Sequence, residues 1–148
     1  MTTEPWLEKL DRRECVELLR TESVGRVGFI FDGFPMVLPV NYRIVEKDGK
    51  IWLAVRTRPG NVLDRADTPV AFEIDAIDPH AKQGWSVLVR GTLGRVDPEA
   101  ADTSQHVDPE PWMTVDRDAW LAIDPFEISG RRLHPAQHEW AFEPTAYL

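Results

Sequence analysis

IWLAVRTRPGNVLDRADTPVAFEIDAID, residues 51–78, decides the fold, together with GWSVLVRGTLGRV, residues 84–96. In the first stretch Ile51, Leu53 and Val55 alternate with Trp52, Ala54 and Arg56. That period of two marks a strand with one buried face. The strand breaks at Pro59-Gly60, and Asn61 to Ala66 reads as a short helix ended by Asp67-Thr68-Pro69. Val70, Phe72 and Ile74 then alternate with Ala71, Glu73 and Asp75 in a second strand. After a loop from Asp78 to Gly84, Trp85, Val87, Val89 and Leu93 share one face of a long third strand. Gly91 and Gly94 predict a bend or bulge within it.

Outward from this core the same pattern continues. Leu10 to Thr21 reads as a helix, with Asp11 as its cap and Glu14 where a capping box places a carboxylate. Val27, Phe29 and Phe31 alternate up to Asp32-Gly33, a hairpin turn. From Pro35 to Val45 the residues Met36, Leu38, Val40, Tyr42 and Ile44 share a face, and Pro39 predicts an edge, a bulge or a ligand-facing position. Asp48-Gly49 forms a second hairpin turn. Residues 97–118 are acidic and proline-bearing, read as an irregular excursion. Trp120 to Ile128 resumes strand character, interrupted by Pro125, and Glu139 to Phe142 is a candidate last strand. Six or seven strands joined mainly by tight turns, with a leading helix and a short crossover helix, predict a mainly β fold, a small antiparallel barrel. No repeat or linker divides the 148 residues, so a single domain over 1–148 is expected, with 1–9 as an N-terminal tail.

The totals exclude several classes. With 25 acidic residues against 17 basic ones the net charge is −8, which argues against a nucleic-acid face. One cysteine, Cys15, rules out an internal disulfide framework and fits a reducing compartment. The start MTTEPWLEKLDRREC lacks an apolar signal core, and no apolar run is long enough to span a bilayer. A cytoplasmic domain is expected, with no nucleic acid and no membrane as partner. Six tryptophans predict large buried contacts or an interface.

Chemistry concentrates in a few places. The turn Arg56-Thr57-Arg58-Pro59-Gly60 offers guanidinium charge, a hydroxyl and backbone N–H groups, the donors a phosphate needs. A solvated basic turn would account for the same residues. Arg56 and Thr57 point to opposite faces of a regular strand, so one anion reaches both only if the strand twists or ends there. Trp85 and Ser86 would cover a ring and donate to a phosphate, or would be an aromatic-anchored core strand with Ser86 facing water. Pro39, Val40 and Asn41 would give a flat ring an apolar platform and an amide partner, or form an edge strand with a tolerated proline. His134 and His138 invite a metal reading, which Pro135 and the strand-like HEWAF oppose, so no metal site is expected. Glu73, Asp75 and Asp78 alternate along a strand and its exit, as a solvent-facing side would. Walker, GxGxxG and GxSxG motifs are absent from the sequence.

Taken together, LDRRECVELLRTESVGRVGF, VLPVNYRI, DGKIWLAVRTRPGNVLD, PVAFEIDAID, GWSVLVRGTLGRV and AWLAIDPFEISGRRL resemble, in this order, the pyridoxamine 5'-phosphate oxidase-like family of FMN-binding split barrels. The resemblance covers Leu10 to Leu133. It implies a split β-barrel that forms a homodimer with FMN in a cleft at the interface. It also implies flavin-dependent oxidoreductase activity on a small molecule. By position, Pro39, Val40 and Asn41 would lie along the flavin ring, while Arg56 and Thr57 would hold the phosphate with Gly60 and Asn61 beside them. Trp85 and Ser86 would approach the cofactor, from the partner chain if the cleft is shared. Many members of that family carry a lysine just before the leucine of the short helix, where this chain has Val62. That departure keeps open a deazaflavin-dependent reductase and a dimeric protein that binds a flavin, another small molecule or no cofactor, without turnover. No residue is assigned as catalytic acid or base.

Overall fold

The computed structural model describes residues 6–57, 60–63, 67–95 and 119–135. Among these the chain runs β1 (Leu7–Leu10), α1 (Arg12–Thr21), β2 (Val24–Phe31), β3 (Phe34–Lys47), β4 (Lys50–Thr57), β5 (Thr68–Asp78), β6 (Gln83–Arg95) and β7 (Ala119–Leu133). Every ladder is antiparallel. The strand order is β1-β7-β4-β3-β2-β5-β6, and β6 pairs again with β7. That last ladder closes β7, β4, β3, β2, β5 and β6 into a barrel, leaving β1 as an attachment.

The turns behave as their residues dictate. Asp32-Gly33 and Asp48-Gly49 have φ of 53° and 80°, and of 53° and 78°. These are the left-handed values that a two-residue hairpin matching strand twist requires. Asp11 and Glu14 form the reciprocal capping box, with Asp11 Oδ1 accepting from the Glu14 N–H at 2.8 Å and Glu14 Oε2 from the Asp11 N–H at 2.9 Å. The helix they start buries Cys15 and Leu19 against the barrel. Burial pushes the Cys15 thiol up, and the nearby Asp11 and Glu14 carboxylates add to that. The barrel interior holds Val27, Phe29, Tyr42, Leu53, Val55, Phe72, Ile74, Val87, Val89, Leu121 and Ile123.

Three features depart from expectation. Residues 7–9 of the presumed tail, with Leu10 of the expected helix, form β1, whose Leu7 to Leu10 pair with Leu133 to Gly130. The C-terminal half of β7 lies beyond its ladder with β4, which stops at Ile123, and β1 occupies that edge. The short helix over Asn61–Ala66 is not found where the chain is described. Residues 60–63 are turn, and Asn61 Oδ1 accepts the Leu63 N–H at 3.1 Å. An asparagine side chain that bonds the backbone two residues on competes with helix formation. Positions 64–66 lie outside the described residues, as do the acidic excursion (97–118) and the strand expected at 139–142. Finally, β7 is one continuous strand through Pro125, with the β6–β7 register shifting between Arg90 and Gly91.

That bulge explains Gly91. A Cβ there would collide with the Asp124 carbonyl oxygen and lie 3.0 Å from Pro125 Cα. Both are backbone of the facing strand and cannot swing aside. Gly91→Ala is expected to cost about 1–3 kcal/mol, read as a lower urea midpoint at unchanged slope.

Candidate functional site

The barrel parts where the β3–β4 ladder ends. The β3–β4 ladder runs from Lys47↔Lys50 to Tyr42↔Val55 and stops. Beyond it, among the described residues, β3 continues from Asn41 to Phe34 paired only with β2, and β4 continues through Arg56 and Thr57 paired only with β7. The next residues across the gap are therefore Asn41 and Arg56, then Val40 and Thr57. Pro39 pairs with Arg26 of β2 and leaves its other edge open, the edge position that a proline within a strand predicts.

Alternation fixes which way these residues face. Tyr42 is buried within the barrel, and its hydroxyl donates to the Leu19 carbonyl. Burial pushes the phenol far up, and the Glu22 carboxylate adds to the effect. Asn41 and Pro39 therefore face out. Val40 packs against the interior core, so it offers a ligand on the outer face backbone only. Asn41 Oδ1 is buried and has no hydrogen-bond partner among the described residues. A buried acceptor in that state costs about 1–3 kcal/mol unless something donates to it. Arg56 faces out, 5.6 Å from the Trp120 ring centroid. Thr57, the last residue of β4, faces in and is 5% exposed. The two do point to opposite faces, but both border the gap where the ladder has ended. Gly60, with φ of 77°, and Asn61 follow in the turn beyond. Val62 packs partly buried against the core.

Trp85 and Ser86 lie elsewhere. Ser86 pairs with Arg131 of β7, whereas Thr57 pairs with Ala119 of the same strand. Between those two β7 positions lie about 40 Å of extended chain at roughly 3.3 Å per residue. Trp85 lines a 470 Å³ cavity with Ile77, Asp78, Gln83, Arg132 and His134. Ser86 does not face water as an exposed strand residue would. It is 1% exposed, on β6 between β5 and β7, opposite the buried Arg131. One chain thus gathers Pro39, Asn41, Arg56, Thr57, Gly60 and Asn61 around the split and holds Trp85 and Ser86 at another end of the barrel.

No group of three or more potential metal-ligating side chains occurs among the described residues. His134 Nε2 lies 2.8 Å from Glu8 Oε2 of β1, and His138 is outside the described residues. No helix among the described residues is long and apolar enough to cross a membrane.

Sequence reading missed one cluster. Arg26 Nη1 donates to Glu73 Oε1 at 3.2 Å and to Asp75 Oδ2 at 3.1 Å. Glu73 is pushed up to about 7, first by burial and then by its hydrogen bond to Asp75 and the Asp75 charge, against the opposing pull of Arg26. The alternation of the two acids was legible. The arginine that crosses to them from β2 was not.

A closed antiparallel barrel that parts beyond the β3–β4 ladder, with a basic, hydroxyl-bearing strand end at the opening, defines a split-barrel protein. The chain belongs to the pyridoxamine 5'-phosphate oxidase family, which matches residues 11–132. It is 34% identical over 134 residues to Rv0080, an uncharacterized protein of Mycobacterium tuberculosis, covering 84% of each chain. Among solved structures it is similar to the FAD binding protein from Mycobacterium smegmatis. Identity there is 28% at a TM-score of 0.64, over 86% of this chain and 99% of that one. It is also similar to a conserved protein of unknown function from Corynebacterium diphtheriae. That match has 26% identity and a TM-score of 0.71, over 86% of this chain and 98% of the other.

Proposed function

We propose that this protein is a flavin-dependent oxidoreductase that works as a homodimer and holds FMN at the split between β3 and β4. The observation that carries this reading is the end of the β3–β4 ladder at Tyr42↔Val55. It sets a buried amide oxygen that has no partner among the described residues, Asn41 Oδ1, across a gap from Arg56 and Thr57. These groups fit a phosphorylated flavin. Arg56 and Thr57 would hold the phosphate with the backbone of Gly60 and Asn61. Pro39 and the backbone of Val40 would flank the ring, and Asn41 Oδ1 would accept from its polar edge. When bound, the flavin supplies hydride or electron transfer; the chain's residues bind it, orient it and exclude water. Membership of the family and the likeness to a mycobacterial FAD binding protein support a flavin over a nucleotide without an isoalloxazine ring. The separation of Trp85 from the split supports a shared cleft, since those residues can join the site only from a second copy. A cytoplasmic setting fits the buried, single Cys15.

One observation favours a second reading. Val62 replaces the family's cation and is packed against the core, so the phosphate loses a charge-assisted contact. That leaves room for a dimer that holds a flavin without turning it over. Val62→Lys is expected to tighten FMN binding about tenfold, the equivalent of about 1.4 kcal/mol, measured by isothermal titration.

The experiment that separates these readings is titration of flavin-free protein with FMN, FAD and deazaflavin in parallel, followed by reduced nicotinamide. Tight FMN binding and bleaching of the flavin band on adding the nicotinamide support the oxidoreductase. Binding without bleaching supports the holder. Binding of deazaflavin alone overturns the FMN assignment.

A further inference from the structure

The outer face of β2, β3 and β5 carries a charged cluster that the proposed flavin site does not use. Arg26 stands at its centre, cross-strand from Pro39 on β3 and from Glu73 on β5. It bridges Glu73 and Asp75 at 3.2 and 3.1 Å. With both carboxylates ionised the trio carries one net negative charge. Beside it on the same face lie Ile30 and Val37, 58% and 63% exposed, paired with Pro35 and Gly28. The result is an apolar strip with a polar centre, bordered by the unpaired edge of β3.

The surrounding charges are few. On β6, Leu88 stands opposite Glu73 and Ser86 opposite Asp75, while Arg90, opposite Ala71, is held by Glu127 at 3.2 Å. Arg131 lies one strand further, across Ser86. On β3 the outward positions are Val37, Pro39 and Asn41, then Arg43.

We propose that two copies of this chain pair through this face, and that each copy takes up a proton at the Glu73–Asp75 carboxylate pair as it does so, making the dimer tighter at lower pH. This rests on the reading of the protein as a dimer with a shared cleft. The partner is a second copy for two reasons. The face carries both signs of charge, Arg26 against Glu73 and Asp75, which a patch meeting its own copy across a two-fold can use. It is also continuous with Pro39 and Asn41 at the split, where Trp85 can join only from another chain. Covering the face removes water from the trio on both sides of the two-fold. A net negative cluster resists that desolvation, and a neutral one resists it far less. One proton per pair makes the trio neutral, and Glu73, already pushed up to about 7, is the group that takes it.

The test is sedimentation equilibrium of the full chain at about pH 6 and about pH 8.5 at constant ionic strength. The dissociation constant of the wild-type dimer should rise at least about tenfold at the higher pH; one proton per copy is two per dimer, which permits up to about a hundredfold within a single pH unit. Glu73→Gln should bring that change below about twofold, and Asp75→Asn serves as the second variant if the first does not fold. Val37→Glu should weaken the dimer at both pH values. A wild-type dimer whose dissociation constant ignores pH overturns the proton uptake alone, as does a Glu73→Gln dimer that keeps the wild-type dependence. A Val37→Glu dimer of unchanged strength overturns the assigned face. A monomer at both pH values overturns the dimer reading itself.

Discussion

Phe72→Ala is expected to remove about 3–5 kcal/mol of stability, a large part of the roughly 5–15 kcal/mol typical of a domain. Phe72 is fully buried on β5 and meets the Tyr42 ring edge-on, with centroids 4.8 Å apart at 69°. Its far side is closed by Gly25 of β2, where any Cβ would overlap the phenyl ring. The ring therefore fills a slot shaped by a glycine on one side and a tyrosine on the other. Tyr42 in turn holds the Leu19 carbonyl of α1, so the slot ties the helix to the barrel. Removing the ring leaves a void that Gly25 is too small to fill. Urea unfolding measures the effect; a loss below about 1 kcal/mol would mean that β2 and β5 do not face each other in this register.

Arg56→Ala is expected to weaken FMN binding about ten- to a hundredfold, the equivalent of about 1.5–3 kcal/mol for a hydrogen bond to a charged group. The control is riboflavin, which has the ring without the phosphate. Its affinity should barely change, because Arg56 is placed for the anionic tail. Equal losses for both ligands would show that Arg56 acts through the fold, by its contact with Trp120, rather than on the phosphate.

Much of the barrel was legible because its determinants are local. Asp32-Gly33 and Asp48-Gly49 fix two hairpins through their own φ preferences, and Asp11 with Glu14 caps α1 within one turn. Pro39 pointed to an edge, a bulge or a ligand-facing position, because proline lacks the donor a paired edge needs, and the edge is what β3 shows there. What escaped was set by partners far along the chain. β1 is four residues, Leu-Glu-Lys-Leu, with no strand signature of its own. It forms because β7 has an edge to pair. The split at Tyr42↔Val55 is a matter of register, which period-two alternation does not encode. The same holds for the candidate site. Arg56, Thr57 and Asn41 were found by residue type, and register then brought them to one opening. Trp85 and Ser86 were grouped with them by resemblance, and register sets them apart within a single chain. Arg26 and Glu73 lie on strands adjacent in space but not in sequence, so nothing local marks their pairing.

The central claim is tested most directly by quenching of FMN fluorescence as flavin-free protein is added. A cleft built at the split of each barrel predicts saturable quenching at one flavin per protomer, lost on adding Arg56→Ala and Thr57→Val together. Fluorescence unchanged up to high protein concentration, or a stoichiometry and affinity that survive both substitutions, would contradict it.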